Sequence, residues 1–171
     1  MTRPDTPADP AADVVQDVRG VEGGVVVGTD VSAGARAALA FGIEEARRRG
    51  CALHILRAWT IGNAPRPPGV SFGSVPSMVE FEAAVRAELD AEVTEVFSAV
   101  GVSPDAVDAR LLVVHGPAAR VLVAASRLAE LLVIGARGRG GFVGLLLGGI
   151  SEQVVRFSRC PITVVHEPRP D

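Results

Sequence analysis

Short apolar runs alternate along this chain with longer segments of mixed polarity. Five runs are rich in Val, Leu and Ile at consecutive positions, as in strands that are buried on both faces: residues 25–29, 53–59, 110–114, 131–134 and 162–165. In the segments between them, apolar residues recur at spacings of three and four, which predicts helices. This alternation predicts a parallel sheet with helices on both faces and right-handed crossovers.

Capping and turn residues indicate where the predicted helices begin and end. Ser32 is a suitable N-cap for the first helix, and Gly50 ends it after three arginines that complement the helix dipole. The other helices are predicted over residues 78–100, 118–128 and 151–159. Residues 60–77 contain four prolines and form a long loop, which is typical of either a functional lid or a disordered segment.

The length and composition predict one soluble domain preceded by a tail. A chain of 171 residues with 48% hydrophobic and 22% charged content can bury a single core. Proline and acidic residues predict a disordered tail over residues 1–20, with the domain over residues 21–168. No apolar run approaches the roughly 18–20 residues that span a bilayer, and no secretory signal is evident. Cys51 and Cys160 lack metal-ligand spacing and favour a cytoplasmic protein with reduced thiols.

The distribution of charge excludes several partners and mechanisms. Residues 1–22 contain five acidic and two basic residues, a balance of −3 that equals the formal net charge of the whole chain. The predicted domain is therefore neutral and lacks the basic surface that nucleic-acid binding requires. All 17 basic residues are arginine, so every mechanism that needs a lysine is excluded.

A glycine-rich stretch follows the fourth predicted strand and precedes the last helix. Gly135 and Gly138 come after that strand, and Gly148 and Gly149 come before the helix. Glycine lets the backbone approach a ligand closely, and the N–H groups at a helix N-terminus bind anions. If the first and fourth strands are neighbours, Asp30 lies at the same crevice, where doubly wound sheets bind ligands.

Two common phosphate-binding motifs do not fit this stretch. The P-loop requires a lysine, and the chain contains none. The dinucleotide fingerprint requires G-x-G-x-x-G after the first strand. Here Gly138 and Gly140 follow the fourth strand, and Val143 stands in the third glycine position.

The glycine spacing resembles the motif of one known family. Gly135-x2-Gly138-x9-Gly148 is similar to the G-x2-G-x9-G-[S/T] nucleotide motif of the universal stress protein family. The segments VVVGTDVS (25–32), ELLVIGARGRGGFVGLLLGGISEQVV (130–155) and CPITVVHE (160–167) also resemble that family, so the likeness covers about residues 21–167. It implies a Rossmann-like three-layer α/β sandwich with a five-stranded parallel sheet in the order 3-2-1-4-5.

The resemblance also implies a site for ATP, or for ADP or AMP. Asp30 would lie near the ribose or phosphates, where it could hold nucleotide-bound Mg²⁺, and Ala58 would meet the adenine through its backbone. The alternative for Asp30 is a turn or capping role beside Ser32. The expected nucleotide-binding residues are Thr29, Asp30, Ala58, Ile134, Gly135, Arg137, Gly138, Arg139, Gly148, Gly149, Ile150 and Ser151.

Gly149 departs from the family motif, which has Ser or Thr at that position. The change removes a side-chain donor to phosphate, a hydrogen bond worth on the order of 1.5–3 kcal/mol, while the backbone donor stays. We therefore expect binding weakened by about tenfold or more, but not lost. The Ser151 hydroxyl is a candidate replacement donor. Arg137 and Arg139 either reach the phosphates or are solvated loop residues.

These features favour a regulator of the stress response that binds adenine nucleotide without efficient turnover. A hydrolase is the least favoured interpretation, because no nucleophile elbow or partnered acid accompanies His115 or His166. The alternative is a nucleotide-free dimeric interaction module of the same fold, which Gly149 favours.

In this family the last strand pairs with its copy, so the resemblance implies a homodimer through residues 162–166. Trp59 either shields the opening of the site or packs in the core.

Overall fold

A computed structural model of the chain describes residues 18–69, 73–138 and 146–167. Its elements follow the predicted order: β1 (Val25–Gly28), α1 (Ala33–Arg49), β2 (Leu53–Trp59), α2 (Met78–Val100), a 3₁₀ turn (Pro104–Ala106), β3 (Ala109–His115), α3 (Ala118–Ala125), β4 (Leu131–Gly135), α4 (Gly149–Phe157) and β5 (Ile162–Val165). Two helices differ from the prediction, since α3 ends at Ala125 and α4 begins two residues before Ser151. Within the described ranges, no helix has the length and apolarity needed to cross a membrane.

The five strands form one parallel sheet in the order β3-β2-β1-β4-β5, which confirms the expected topology. β1 is central, and Gly28 at its carboxyl end is level with Leu56 of β2 on one side and Ile134 of β4 on the other. After β3 the chain crosses to the far side of β1 to begin β4. The border between β1 and β4 is therefore the switch point at which this architecture leaves a crevice.

Each face of the sheet packs against two helices, which produces three layers. The face covered by α1 and α2 buries, among others, Val27, Ile55 and Val133 from the strands with Leu39, Ile43 and Leu89 from the helices. The face covered by α3 and α4 buries Val26, Leu56, Leu132 and Ile134 with Leu122 and Val154. Burial of both faces explains why the strands are continuous apolar runs in the sequence.

The packed part of the chain begins before the predicted boundary at residue 21. Val18, which lies in the predicted tail, is completely buried in the core beside α3 and α4, and Val21 packs with it. The backbone N–H of Glu22 donates to Nε2 of the buried His54 at 3.5 Å, which attaches this segment to β2. The core therefore includes Val18 from the predicted tail, and residues 1–17 of that tail lie outside the described residues.

Glycines allow α1 to lie close against the sheet. A side chain at Gly42 would overlap Cγ2 of Val27 in β1. A Cβ atom at Gly135 would lie 2.8–3.1 Å from backbone atoms of Gly34 and Ala35 in the first turn of α1. At these distances only glycine fits unless the backbone moves. The start of α1 is therefore in contact with the end of β4, which brings the loops after β1 and β4 together.

Candidate functional site

The loop between β1 and α1 is a tight turn stabilised by its own polar side chains. Val31 has a φ of 64°, in the left-handed region that β-branched residues rarely adopt, which costs on the order of 1–3 kcal/mol. Its N–H donates to Oγ1 of Thr29 at 3.1 Å. Ser32 caps α1 as predicted, because its Oγ accepts the N–H of Ala35 at 3.2 Å. These bonds determine the path of the chain as it leaves the sheet.

Asp30 is both a turn residue and part of the crevice wall. Its Oδ1 accepts hydrogen bonds from the backbone N–H of Ser32 at 3.1 Å and from the Ser32 hydroxyl at 2.5 Å. Its Oδ2 lies beside Gly138, so close that a side chain at Gly138 would overlap it. The two alternatives for Asp30 are therefore compatible: one carboxylate oxygen stabilises the turn and the other faces the glycine loop.

A pocket with a volume of about 320 Å³ opens at the carboxyl ends of β1, β2 and β4. Its lining residues are Gly28, Thr29, Asp30, Ala35, Leu56, Ala58, Ala118, Leu122, Ile134, Gly135, Arg137, Gly138, Gly148, Gly149, Ile150 and Ser151. Eleven of the twelve residues expected from the sequence are in this set. The twelfth, Arg139, lies outside the described residues. The volume is within the roughly 300–1,000 Å³ of typical small-molecule sites.

One wall of the pocket is apolar. Leu56, Ala58 and Ile134 line it from the sheet, and Leu122 lines it from α3. Gly28 lies level with Leu56 and Ile134, and a Cβ atom there would come within 2.6 Å of Leu122 Cδ2. The glycine at the end of β1 thus allows α3 to pack close to the sheet at the edge of the pocket.

The sequence did not identify five of the lining residues: Gly28, Ala35, Leu56, Ala118 and Leu122. The alternation of side chains along β2 could have predicted Leu56, because residues two apart on a strand share a face and Ala58 was already expected in the site. Ala118 and Leu122 depend on how α3 packs on the sheet, which periodicity alone does not specify.

The opposite wall of the pocket consists mainly of glycine backbone. The N–H of Gly148 donates to the carbonyl of Ala136 at 2.8 Å, so the ends of the loop between β4 and α4 meet. The first N–H groups of α4, on Gly149 and Ile150, have no acceptor within the helix and form the positive end of its dipole. Half-buried Arg137 also lines the pocket, which favours the ligand-facing alternative for this residue. The pocket therefore combines an apolar wall with an anion-binding one.

Ser151 does not offer the hydroxyl donor that we expected. Its Oγ donates to the carbonyl oxygen of Gly135 at 2.9 Å, and the residue is buried. Because a serine hydroxyl carries one proton, that proton is already used. The hydroxyl connects α4 to the end of β4. Since Gly149 has no side chain either, the donors at the start of α4 are backbone N–H groups.

Trp59 and His54 belong to the core. Trp59 is 1% exposed, does not line the pocket, and packs against His115 and Phe81 with ring-centre separations of 4.8 and 6.4 Å. His54 is completely buried, and burial, followed by the nearby charge of Arg110, lowers its pKa. Among the described residues, no group of three or more His, Cys, Asp or Glu could hold a metal ion.

The topology and the pocket define a doubly wound α/β protein with a crevice at its switch point. A match to the universal stress protein family covers residues 24–166. Universal stress protein Rv2623 of Mycobacterium tuberculosis is 36% identical over 143 residues, which is 84% of this chain and 45% of that protein. Universal stress protein Rv2005c of the same organism has the same identity and coverage. The chain belongs to the universal stress protein family, and it spans about half the length of these curated relatives.

Solved structures share this fold. A universal stress protein in complex with cAMP is 27% identical, with a TM-score of 0.59, and the alignment covers 86% of this chain and 99% of that one. A universal stress protein from Archaeoglobus fulgidus in complex with dAMP is 21% identical, with a TM-score of 0.55 and coverage of 85% and 98%. The likeness to the second structure supports the fold alone.

The contact between Gly135 and α1 can be tested by substitution. We expect Gly135→Ala to lower the free energy of unfolding by about 1–3 kcal/mol, because the methyl group would overlap the backbone of α1. Gly149→Ala is the matched control, since no atom of residues 18–69, 73–138 or 146–167 lies within 4 Å of its added Cβ, and its effect should stay within about 0.5 kcal/mol. Urea unfolding measures both variants, and equal effects would contradict the packing role of Gly135.

Proposed function

We propose that this protein binds an adenine nucleotide, ATP, ADP or AMP, and acts as a ligand-dependent regulator of the stress response without efficient turnover. The observation that carries the proposal is the combination, in one pocket, of an apolar wall and the N-terminus of α4. The universal stress protein that is 27% identical and holds cAMP supports an adenine nucleotide as the ligand class.

Each part of such a nucleotide has a matching surface in the pocket. The base would lie against Leu56, Ala58 and Ile134, where the wall is apolar. The phosphates would accept hydrogen bonds from the first N–H groups of α4 and from the guanidinium of Arg137. Mg²⁺ would enter bound to the phosphates, with the carboxylate of Asp30 as its protein ligand.

The side chains of the pocket support binding rather than catalysis. Among the described lining residues, Asp30 is the only carboxylic acid, and there is no histidine or cysteine. General acid–base catalysis needs a positioned proton donor and acceptor. The two hydroxyls that line the pocket are already bonded elsewhere, Thr29 to Glu92 and Ser151 to Gly135. A bound nucleotide would therefore act as a signal.

A nucleotide-free interaction module of the same fold is the second candidate. The observation that favours it is the shortage of side-chain donors at the start of α4, where Gly149 has no hydroxyl and the proton of Ser151 is used. Backbone N–H groups and Arg137 would then have to neutralise the phosphates without the hydroxyl that the family motif provides.

Calorimetric titration with ATP, ADP and AMP at concentrations up to millimolar separates these two functions. We expect heat of binding from at least one nucleotide with the wild-type protein. Gly138→Asp should abolish it, because the new carboxylate would displace Asp30 and repel phosphate. The control Gly62→Asp adds the same charge where the nearest described atom to the new Cβ is Thr60 Oγ1 at 3.9 Å, so binding should persist. No heat with the wild-type protein would support the nucleotide-free module.

Restoring the hydroxyl of the family motif should strengthen binding. Because none of the described atoms lies within 4 Å of a Cβ added at Gly149, Gly149→Ser overlaps nothing in the described part of the chain. A hydroxyl donor to a charged phosphate is worth on the order of 1.5–3 kcal/mol, so we expect affinity to rise by about tenfold or more. Gly149→Ala adds the Cβ without the hydroxyl and should bind like the wild type. Equal affinities for the serine and alanine variants would show that the departure at this position has no effect on binding.

We further propose that two copies of the chain associate through β5. This strand is at one end of the sheet, and its residues are only partly buried. Val155 and Phe157, at the end of α4 just before β5, are 41% and 53% exposed. A strand at the edge of a sheet that has exposed apolar residues beside it favours association with another chain. If β5 pairs with β5 of a second copy, the edge of the strand and these apolar residues are both covered.

The mass in solution tests this association. Sedimentation equilibrium at micromolar concentration should give twice the monomer mass of 17.7 kDa for the wild-type protein. Phe157→Glu should give the monomer mass, because it places a charge in the proposed interface. Ile61→Glu replaces a similarly exposed residue in the loop after β2 and should leave the dimer intact. A monomeric wild-type protein, or a dimeric Phe157→Glu variant, would contradict the proposal.

A further inference from the structure

Glu92 is a buried acid behind the pocket. It lies on α2, which covers the opposite face of the sheet from α3 and α4, and it is 1% exposed. The Thr29 hydroxyl donates to its carboxylate, with Oγ1 at 3.0 Å from Oε1 and 2.8 Å from Oε2. Apolar residues of similar size usually stabilise a core at least as well as a buried charge, so packing alone does not account for Glu92.

The charged groups that face Glu92 come from α1, β2 and the turn after β1. Arg36 and Arg57 favour its ionised form, and Asp30 opposes it. Burial is the largest effect and raises the pKa of Glu92 above its ordinary value, although the Thr29 hydrogen bond lowers it. None of the described ion pairs within 4 Å includes Glu92, so a direct ion pair does not account for this position either.

Both arginines near Glu92 also pair with other carboxylates. Arg36 lies 2.7 Å from Glu95, and Arg57 lies 3.4 Å from Glu88. Neither cation is dedicated to Glu92. Of the contacts described for this carboxylate, the hydrogen bond from Thr29 is therefore the one that leads to the site.

Thr29 connects Glu92 to the pocket. Its hydroxyl donates to Glu92 while the same oxygen accepts the N–H of Val31 at 3.1 Å, so its orientation is fixed from both sides. Val31 has its left-handed φ of 64° in this arrangement. Asp30 lies between Thr29 and Val31 and places Oδ2 beside Gly138. Without Glu92, the Thr29 hydroxyl loses its acceptor in this rotamer, and a χ1 rotation towards another acceptor would move Oγ1 away from the N–H of Val31.

We infer that Glu92 is a positioning residue for ligand binding: through Thr29 it stabilises the strained turn at Val31 and so sets the direction of the Asp30 carboxylate in the pocket. Glu92 itself does not line the pocket. The claim that Glu92 affects ligand affinity rests on the proposed nucleotide binding. The claim that Glu92 stabilises the turn at Val31 is independent of that proposal.

Three variants separate this role from simple filling of the core. Glu92→Gln keeps an oxygen acceptor for Thr29 and removes the charge. Glu92→Leu keeps a buried side chain of comparable bulk and removes the acceptor. Thr29→Val keeps the shape of residue 29 and removes the hydroxyl, so it tests the same contact if Glu92→Leu does not fold.

The first measurement is amide hydrogen exchange by NMR on the full chain without nucleotide. We expect the N–H of Val31 to exchange at least about tenfold faster in Glu92→Leu and Thr29→Val than in the wild type, because it loses its acceptor. Glu92→Gln should restore the slow exchange. The N–H of Val26, within β1, is the internal reference and should be unchanged. Unaltered exchange at Val31 in the folded variants would overturn the inference.

The second measurement is ATP affinity by calorimetry. We expect Glu92→Leu to bind at least about tenfold more weakly and Glu92→Gln to bind like the wild type. Affinity in Glu92→Leu equal to that of the wild type, despite faster exchange at Val31, would overturn the link between the turn and the pocket. If the wild-type protein binds no nucleotide, the proposed function fails, while hydrogen exchange still decides whether Glu92 stabilises the turn.

Discussion

The contact between Gly34 and Gly135 is the constraint on which the rest of the site depends. These residues have no side chains, so the first turn of α1 can touch the end of β4 backbone to backbone. This contact brings the β1–α1 turn over the glycine loop, which places Asp30 beside Gly138. The carbonyl of Gly135 also receives the Ser151 hydroxyl, so the start of α4 is fixed at the same point. Three elements thus meet at one residue, and the pocket is the space between them.

The two faces of the sheet contribute differently to this site. The face under α3 and α4 provides the apolar wall of the pocket, through core residues such as Leu56, Leu122 and Ile134. The face under α1 and α2 contains the buried ionisable residues Arg57 and Glu92. Thr29 joins the two, because it lines the pocket and its hydroxyl bonds to Glu92. The buried ionisable groups Arg57 and Glu92 therefore lie outside the surface that would meet a ligand.

The elements could be predicted from the sequence because buried strands and amphipathic helices have distinct periods. The strand order came from the family resemblance, since periodicity does not say which strands are neighbours. The expected site residues that line the pocket are at strand ends and in the glycine loop, where position along the chain and position in space agree. Leu122 was missed because it reaches the pocket only through the packing of α3. The direction of the Ser151 hydroxyl and the contact of Thr29 with Glu92, 63 residues away, likewise depend on tertiary packing.

The hydrogen bond from Gly148 to Ala136 has a consequence for how this protein can vary. The chain leaves β4 and returns to α4 at nearly the same place, so the segment between them is a closed loop attached by its two ends. The entropy of closing such a loop grows slowly, by about 0.6 kcal/mol for each doubling of its length. Changes in the number of residues between these ends should therefore cost little closure entropy, provided that Arg137 and Gly138 keep their places in the pocket wall. The pocket wall therefore depends on the two ends of the segment, where Gly148 meets Ala136, more than on the number of residues between them.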